Sequence, residues 1–291
     1  VWSLRKVGDE LFCMHDRGLF LIEGFSLKRI GQITGAWTCQ PVIGTENKMY
    51  VGVYDGIYLL EKRLNEWTVV HRITGTNSSF RFFEQESAQV LWMSDQNRCM
   101  RIELDPGLSR VVSETLFDTD SGFPSDKKIR IHKIDGKVYF STLGGIYEYN
   151  HYSGRMELSQ EINSRLNGAA PYPFIKEYNN HIIGLNQREI CISNIITYKR
   201  GASTYILPLD MPAVELVQSA ETLIPVTDSL IIIPNDNGFA LARIPEQRVR
   251  RDYSKAMRIH NVFISYPKDS LIYTDNFLRQ KELPHLPYAH N

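Results

Sequence analysis

The chain has 291 residues, 43% of them apolar, and its 33 basic residues balance 33 acidic ones. That length buries one large core or two ordinary ones, and zero net charge supplies no global field to recruit nucleic acid or an anionic membrane. No stretch reaches the roughly 18 apolar residues of a membrane-spanning helix; the longest run, "SLIIIP" at 229–234, is strand-sized.

The chain opens with "VWSLRKVGDE", neither an initiator methionine nor a signal peptide. It is therefore expected to be a piece of a longer protein, with any export signal or anchor outside it. A thirteen-residue phrase then recurs. "LFCMHDRGLFLIE" at 11–23 returns as "MYVGVYDGIYLLE" at 49–61, "LWMSDQNRCMRIE" at 91–103 and "VYFSTLGGIYEYN" at 138–150. Two weaker copies follow, "IIGLNQREICISN" at 182–194 and "LIIIPNDNGFALA" at 230–242. One slot holds Gly18, Gly56, Arg98, Gly145, Glu189 and Gly238, at spacings of 38, 42, 47, 44 and 49 residues. Six places earlier stand Phe12, Tyr50, Trp92, Tyr139, Ile183 and Ile232, all large and apolar. A glycine after Asp, Asn, Arg or Gly is turn chemistry that supplies a positive φ, so each copy reads as a β-hairpin.

Shorter strand-like runs flank every hairpin. "VWSLRKV", "TCQPVIG", "FRFFEQE", "IRIHKID", "FIKEYN" and "VELVQSA" come before; "SLKRIGQI", "EWTVVHRI", "SRVVSETLF", "RMELSQEI" and "STYILPL" come after. Four short strands in each of six repeats, with no sustained helical period, predict an all-β fold, a β-propeller. The blades are expected at about 1–34, 35–75, 76–118, 119–164, 165–209 and 210–247, with a seventh completed by sequence before Val1 or by the strand at 256–265. The hairpin aromatics are core in this reading. From 248 the pattern stops: "RVRR" opens a basic linker, and "MRIHNVFIS" alternates like one more strand.

Catalytic motifs are missing. The chain has no G-x-S-x-G, no H-E-x-x-H, no phosphate-binding glycine loop and no EF-hand pattern. His71 and His132 sit in strands, where a core or edge imidazole is the expectation, and "DTDSGFP" at 118–124 matches an aspartate box only loosely. Cys13, Cys39, Cys99 and Cys191 lack zinc-ligand spacing and are expected to be buried free thiols, with a Cys13–Cys39 disulfide as the alternative. No catalytic residue, metal or cofactor is implied.

The most complete repeat is "DSGFPSDKKIRIHKIDGKVYFSTLGGIYEYN" at 120–150. It resembles the regulator-propeller repeat of bacterial two-component sensors, through Gly122, Phe123, Pro124 and Ser125, then Asp135 and Gly136, then Tyr139, Ser141 and Thr142. Gly145, Ile146, Tyr147, Tyr149 and Asn150 complete the match. The tail, with Leu286, Pro287, Tyr288 and Asn291, resembles the opening of the Y_Y_Y domain, an immunoglobulin-like sandwich that follows such propellers. The resemblance implies the periplasmic sensor region of a hybrid two-component histidine kinase of Bacteroidetes, with 248–291 as linker and truncated sandwich. It further implies an oligosaccharide ligand, a second propeller and sandwich in the same chain, a homodimer in the parent protein, and a kinase outside this chain. No nucleic acid binding and no catalysis by this piece are expected. The alternatives are a propeller scaffold for protein–protein contact and a glycan-active propeller enzyme. Propeller geometry favours the face made by hairpin tips and interblade loops, and Trp37, Arg81, Arg98, Lys127, Lys128, Tyr172 and Arg188 are the candidates there. Aromatic faces stack on sugar rings, and Arg or Lys pairs with uronate or sulfate.

Overall fold

The computed structural model describes residues 1–79, 81–95, 98–125, 128–166, 172–179, 181–186, 189–194, 205–208, 216, 222–227, 230–235, 238–243, 261–264 and 270–274. Each repeat is one antiparallel sheet whose strands pair in chain order. Blade one holds β1–β4 (Ser3–Val7, Glu10–His15, Gly18–Glu23, Ser26–Ile30), and blade two β5–β8 (Thr38–Pro41, Lys48–Val53, Gly56–Arg63, Glu66–Arg72). Blade three holds β9–β12 (Phe82–Gln85, Val90–Ser94, Cys99–Leu104, Val111–Phe117), and blade four β13–β16 (Arg130–Ile134, Lys137–Thr142, Gly145–Asn150, Arg155–Leu158). A short helix α1 (Gln160–Arg165) leads to blade five, β17–β20 (Phe174–Tyr178, His181–Leu185, Glu189–Asn194, Tyr205–Pro208). Blade six shows three described strands, β21–β23 (Ile224–Thr227, Leu230–Asn235, Gly238–Arg243). The chain is an all-β propeller of six blades. In the tail, β24 (Asn261–Ile264) and β25 (Ser270–Thr274) pair antiparallel.

The core lies between blades, in five apolar clusters among the described residues, one for each successive pair of blades. Strand alternation explains why. The large apolar residue of the repeat points forward: Phe12 packs on blade two, Tyr50 on blade three, Trp92 on blade four, Tyr139 on blade five and Ile183 on blade six. Its neighbour one place earlier points back, as Met49, Leu91, Val138, Ile182 and Ile231 do. The end blades break the rule. Leu11 has no described blade behind it and is 37% exposed, with Leu4 at 58%; on blade six Ile224 is 48% exposed, Leu241 61% and Phe239 67%.

Three local readings change. The run "VELVQSA" is not the described inner strand of blade six. Of it only Leu216 is described, buried in the cluster between blades five and six, and the strand that pairs with β22 is β21. The run "RMELSQEI" is a strand only to Leu158, because the Ser159 hydroxyl accepts from the Ile162 N–H and starts α1. The Cys13–Cys39 bond does not form. Cys39 joins the cluster between blades one and two, whereas Cys13 shares the opposite sheet face with Leu4 and Phe20. All four cysteines are buried free thiols, and burial pushes Cys39 up to about 12.

Two slot glycines, Gly18 and Gly56, are required twice over. Gly18 and Gly56 have φ of +134° and +149°, and a Cβ on Gly18 would lie 2.5 Å from the Ile33 carbonyl oxygen. On Gly56 it would collide with the Thr76 carbonyl oxygen. In blade three the hairpin loop is longer, and Asp95 accepts from the Arg98 N–H and guanidinium, so no glycine is needed. Gly56→Ala is expected to cost about 2 kcal/mol or more, strain plus clash. Gly8→Ala, at φ +60° with nothing within 4 Å, should cost only the backbone strain of about 1 kcal/mol. Urea unfolding of the two variants measures the difference, and equal losses would remove the carbonyl contact from the account.

Candidate functional site at the mouth of the axis

The inner strands β1, β5, β9, β13 and β17 all start on the face that carries the β2–β3 and β6–β7 turns. Ser3 opposes Met14, and Thr38 opposes Gly52, at the turn ends of their partners. The residue before each inner strand therefore sits at the mouth: Trp2, Trp37, Arg81, Ile129 and Pro173.

Trp37 is held from several sides. Its backbone N–H donates to the Gly52 carbonyl at 2.8 Å, and the Ser3 hydroxyl donates to its carbonyl at 2.7 Å. Its indole N–H donates to the Ser79 hydroxyl at 2.9 Å. Trp2 lies against it, ring centres 4.6 Å apart, and Tyr54 lies 5.0 Å away on the β6–β7 turn. The Trp2 indole donates to the Tyr54 hydroxyl at 3.0 Å, which donates to the Asp16 carboxylate at 2.7 Å. Gly35 makes room, because a Cβ there would enter the Tyr54 ring. Arg81 stands 5.8 Å from the Trp37 ring and 5.4 Å from the Phe82 ring, and Arg130 stands 5.7 Å from the same Phe82 ring. These are cation–π distances. The result is a half-exposed aromatic cluster with guanidinium groups beside it. Between blades two and three, a cavity of about 220 Å³ is lined by Gly75, Thr76, Asn77, Ser78, Met93 and Glu114, next to Ser79.

Below the mouth, the third residue of each inner strand forms one layer: Arg5, Gln40, Glu84, His132 and Lys176. Burial holds Glu84 above the usual carboxylate range, against the pull of Arg5, Gln40 and Lys133. Burial, and then the Arg5 charge, lowers Lys176. The His132 ring meets Phe174 edge-on at 5.8 Å. Burial takes its pKa down to about 3, Arg130 adds to that, and the Pro173 carbonyl opposes it.

Of the sequence candidates, Trp37 and Arg81 are brought together. Lys128 is exposed at the same face, with φ +59°. Arg98 is exposed on the β10–β11 turn but bound to Asp95 at 2.7 Å. Tyr172 is corrected: it is 1% exposed in the cluster between blades four and five, packed where a Cβ on Gly184 would be 2.9 Å from its ring. It offers no face to a ligand. Lys127 and Arg188 lie outside the described residues. Sequence reasoning missed Trp2 and Tyr54. Trp2 precedes β1 as Trp37 precedes β5, so the repeat period carried that signal.

No protein-family model matches the chain, and no curated protein matches it in sequence. Solved structures are similar in fold. The extracellular domain of the putative hybrid two component system BT4673 from B. thetaiotaomicron is 15% identical with a TM-score of 0.57, over 84% of this chain and 32% of that one. The extracellular domain of the putative hybrid two component system BT3049 from the same organism is 14% identical with a TM-score of 0.56, over 88% of this chain and 37% of that one. The chain thus spans about a third of the length of these structures. The likeness establishes the propeller fold, which this chain shares with extracellular domains of two-component systems.

His132 gives this region a pH signature. Its folded pKa lies below the ordinary 6.5, so the unfolded chain binds the proton first as the pH falls. The stability held by the neutral ring is complete above 6.5 and is lost progressively toward pH 3. Between pH 7 and 5 this group alone is expected to cost about 2 kcal/mol. Urea unfolding at the two pH values should show that slope, and His132→Phe should flatten it; an unchanged slope would dismiss the buried neutral imidazole.

Proposed function

We propose that this chain belongs to the extracytoplasmic sensor region of a two-component signalling protein and that its mouth receives a glycan-derived oligosaccharide. The carrying observation is the Trp2–Trp37–Tyr54 cluster with Arg81 beside it, on the one face where all inner strands begin. Flat aromatic faces, half exposed and locked by hydrogen bonds, stack on sugar rings without losing much side-chain freedom. The fold similarity to extracellular domains of hybrid two-component systems supports the sensor part. In this reading the tail is the linker and start of a Y_Y_Y sandwich. The parent protein is a periplasm-facing homodimeric kinase of the inner membrane, carrying a second propeller. The piece binds its sugar and does not convert it. A sensor acts by binding one of two states better, so the relay needs an affinity difference between dimer arrangements.

The scaffold reading keeps support from a separate observation, the exposed apolar faces of the two end blades. Exposed apolar patches of this kind mark contact surfaces. The occupant that fits is another radially packed blade, since each face repeats the pattern that the inner blades bury.

Two experiments follow. A thermal-shift screen against oligosaccharides should give a stabilising hit. Trp37→Ala should weaken that hit roughly fivefold, for about 1 kcal/mol of lost stacking; a hit indifferent to Trp37 moves the site elsewhere. For the end faces, sedimentation should show self-association of the chain that Leu241→Lys with Phe239→Lys abolishes. A chain that is monomeric with and without these changes leaves the scaffold reading without support.

A further inference from the structure

We propose that the inner-strand layer around the axis binds an anionic group, a carboxylate or a sulfate, between Arg5, Lys133 and Lys176. Arg5 acts electrostatically on Cys39 of blade two, Glu84 of blade three and Lys176 of blade five. One side chain approaches three such blades together only by projecting into the axis. Register agrees, because Arg5, Glu84 and Lys176 occupy the same third place in β1, β9 and β17. Lys133, one place further along β13, reaches across to donate to the Gln85 carbonyl at 2.8 Å. The same Lys133 pulls on Glu84.

The charges do not balance. Glu84 is engaged by Gln40 as well as by Arg5 and Lys133, while Lys176 meets only the like charge of Arg5. Neither Arg5 nor Lys176 makes an ion pair among the described residues. Like charges gathered in a partly buried layer are costly, and an incoming anion offsets that cost. A guanidinium offers two parallel donors to a carboxylate or sulfate, which selects these groups over a neutral hydroxyl. The distance to the mouth suits an acidic sugar. From Trp2 to Arg5 the strand rises about 10 Å, roughly one to two sugar rings. A ring stacked at Trp37 therefore lets an acidic substituent reach the layer below. The sugar half of this inference rests on the sensing reading; the anion site does not.

The test uses this chain at constant ionic strength, balanced with sodium chloride. The probes are inorganic sulfate, trigalacturonate and the neutral galactotriose, read by thermal shift and calorimetry. Sulfate and trigalacturonate are expected to raise Tm, and Arg5→Gln with Lys176→Gln should weaken both at least tenfold. Glu84→Gln should bind sulfate several-fold more tightly, a gain that misfolding cannot produce. The inference is overturned when sulfate and trigalacturonate do no more than sodium chloride, or when both sets of variants leave binding unchanged. Sulfate binding without trigalacturonate binding supports the anion site and sinks the acidic-sugar half. Galactotriose binding that needs Trp37 but not Arg5 or Lys176 keeps the sensing reading and overturns this inference.

Discussion

A radial four-stranded sheet has two apolar faces, and each is buried only by another blade. The structure follows from that constraint. Phe12, Tyr50, Trp92, Tyr139 and Ile183 point to the following blade, and Met49, Leu91, Val138, Ile182 and Ile231 point to the preceding one. Fully burying one such side chain is worth about 1.5–3 kcal/mol, so an interface of several residues outweighs any single loop contact. The same constraint makes the end blades conspicuous, where Leu4 and Leu241 occupy blade-facing places with no described blade against them.

Because the apolar contacts lie between blades, the axis and its mouth are free to be polar. The turn glycines connect the two regions. Gly18 lies against the Ile33 carbonyl, and the loop beyond it is tied down by Gly35 and Ala36 N–H bonds to the Asp16 and His15 carbonyls. That loop delivers Trp37 to the mouth, where Gly52 of the next blade receives its N–H. A residue whose local role is a positive φ thus also positions the candidate binding face.

Much of this was legible in the chain. The slot glycine and the apolar residue six places earlier marked hairpin and core without coordinates, because both are local requirements repeated at one period. Trp37 and Arg81 were legible as mouth residues from their place before inner strands. Arg98 took a glycine's slot, but its loop satisfies itself through Asp95, which spacing does not reveal. Tyr172 failed for a different reason. A loop position looks exposed in sequence, and only the void left by Gly184 draws this ring into the core.

The sequence by itself determined the blade: strand alternation, turn chemistry and period are properties of neighbours along the chain, and they specify a four-stranded meander wherever it sits. Tertiary structure alone decided which residues meet at the axis. Arg5, Glu84 and Lys176 are separated by many blades' worth of chain, and no local pattern relates their charges. Only the radial packing of inner strands puts them in one layer, because it converts the same place in successive repeats into neighbours around a common axis.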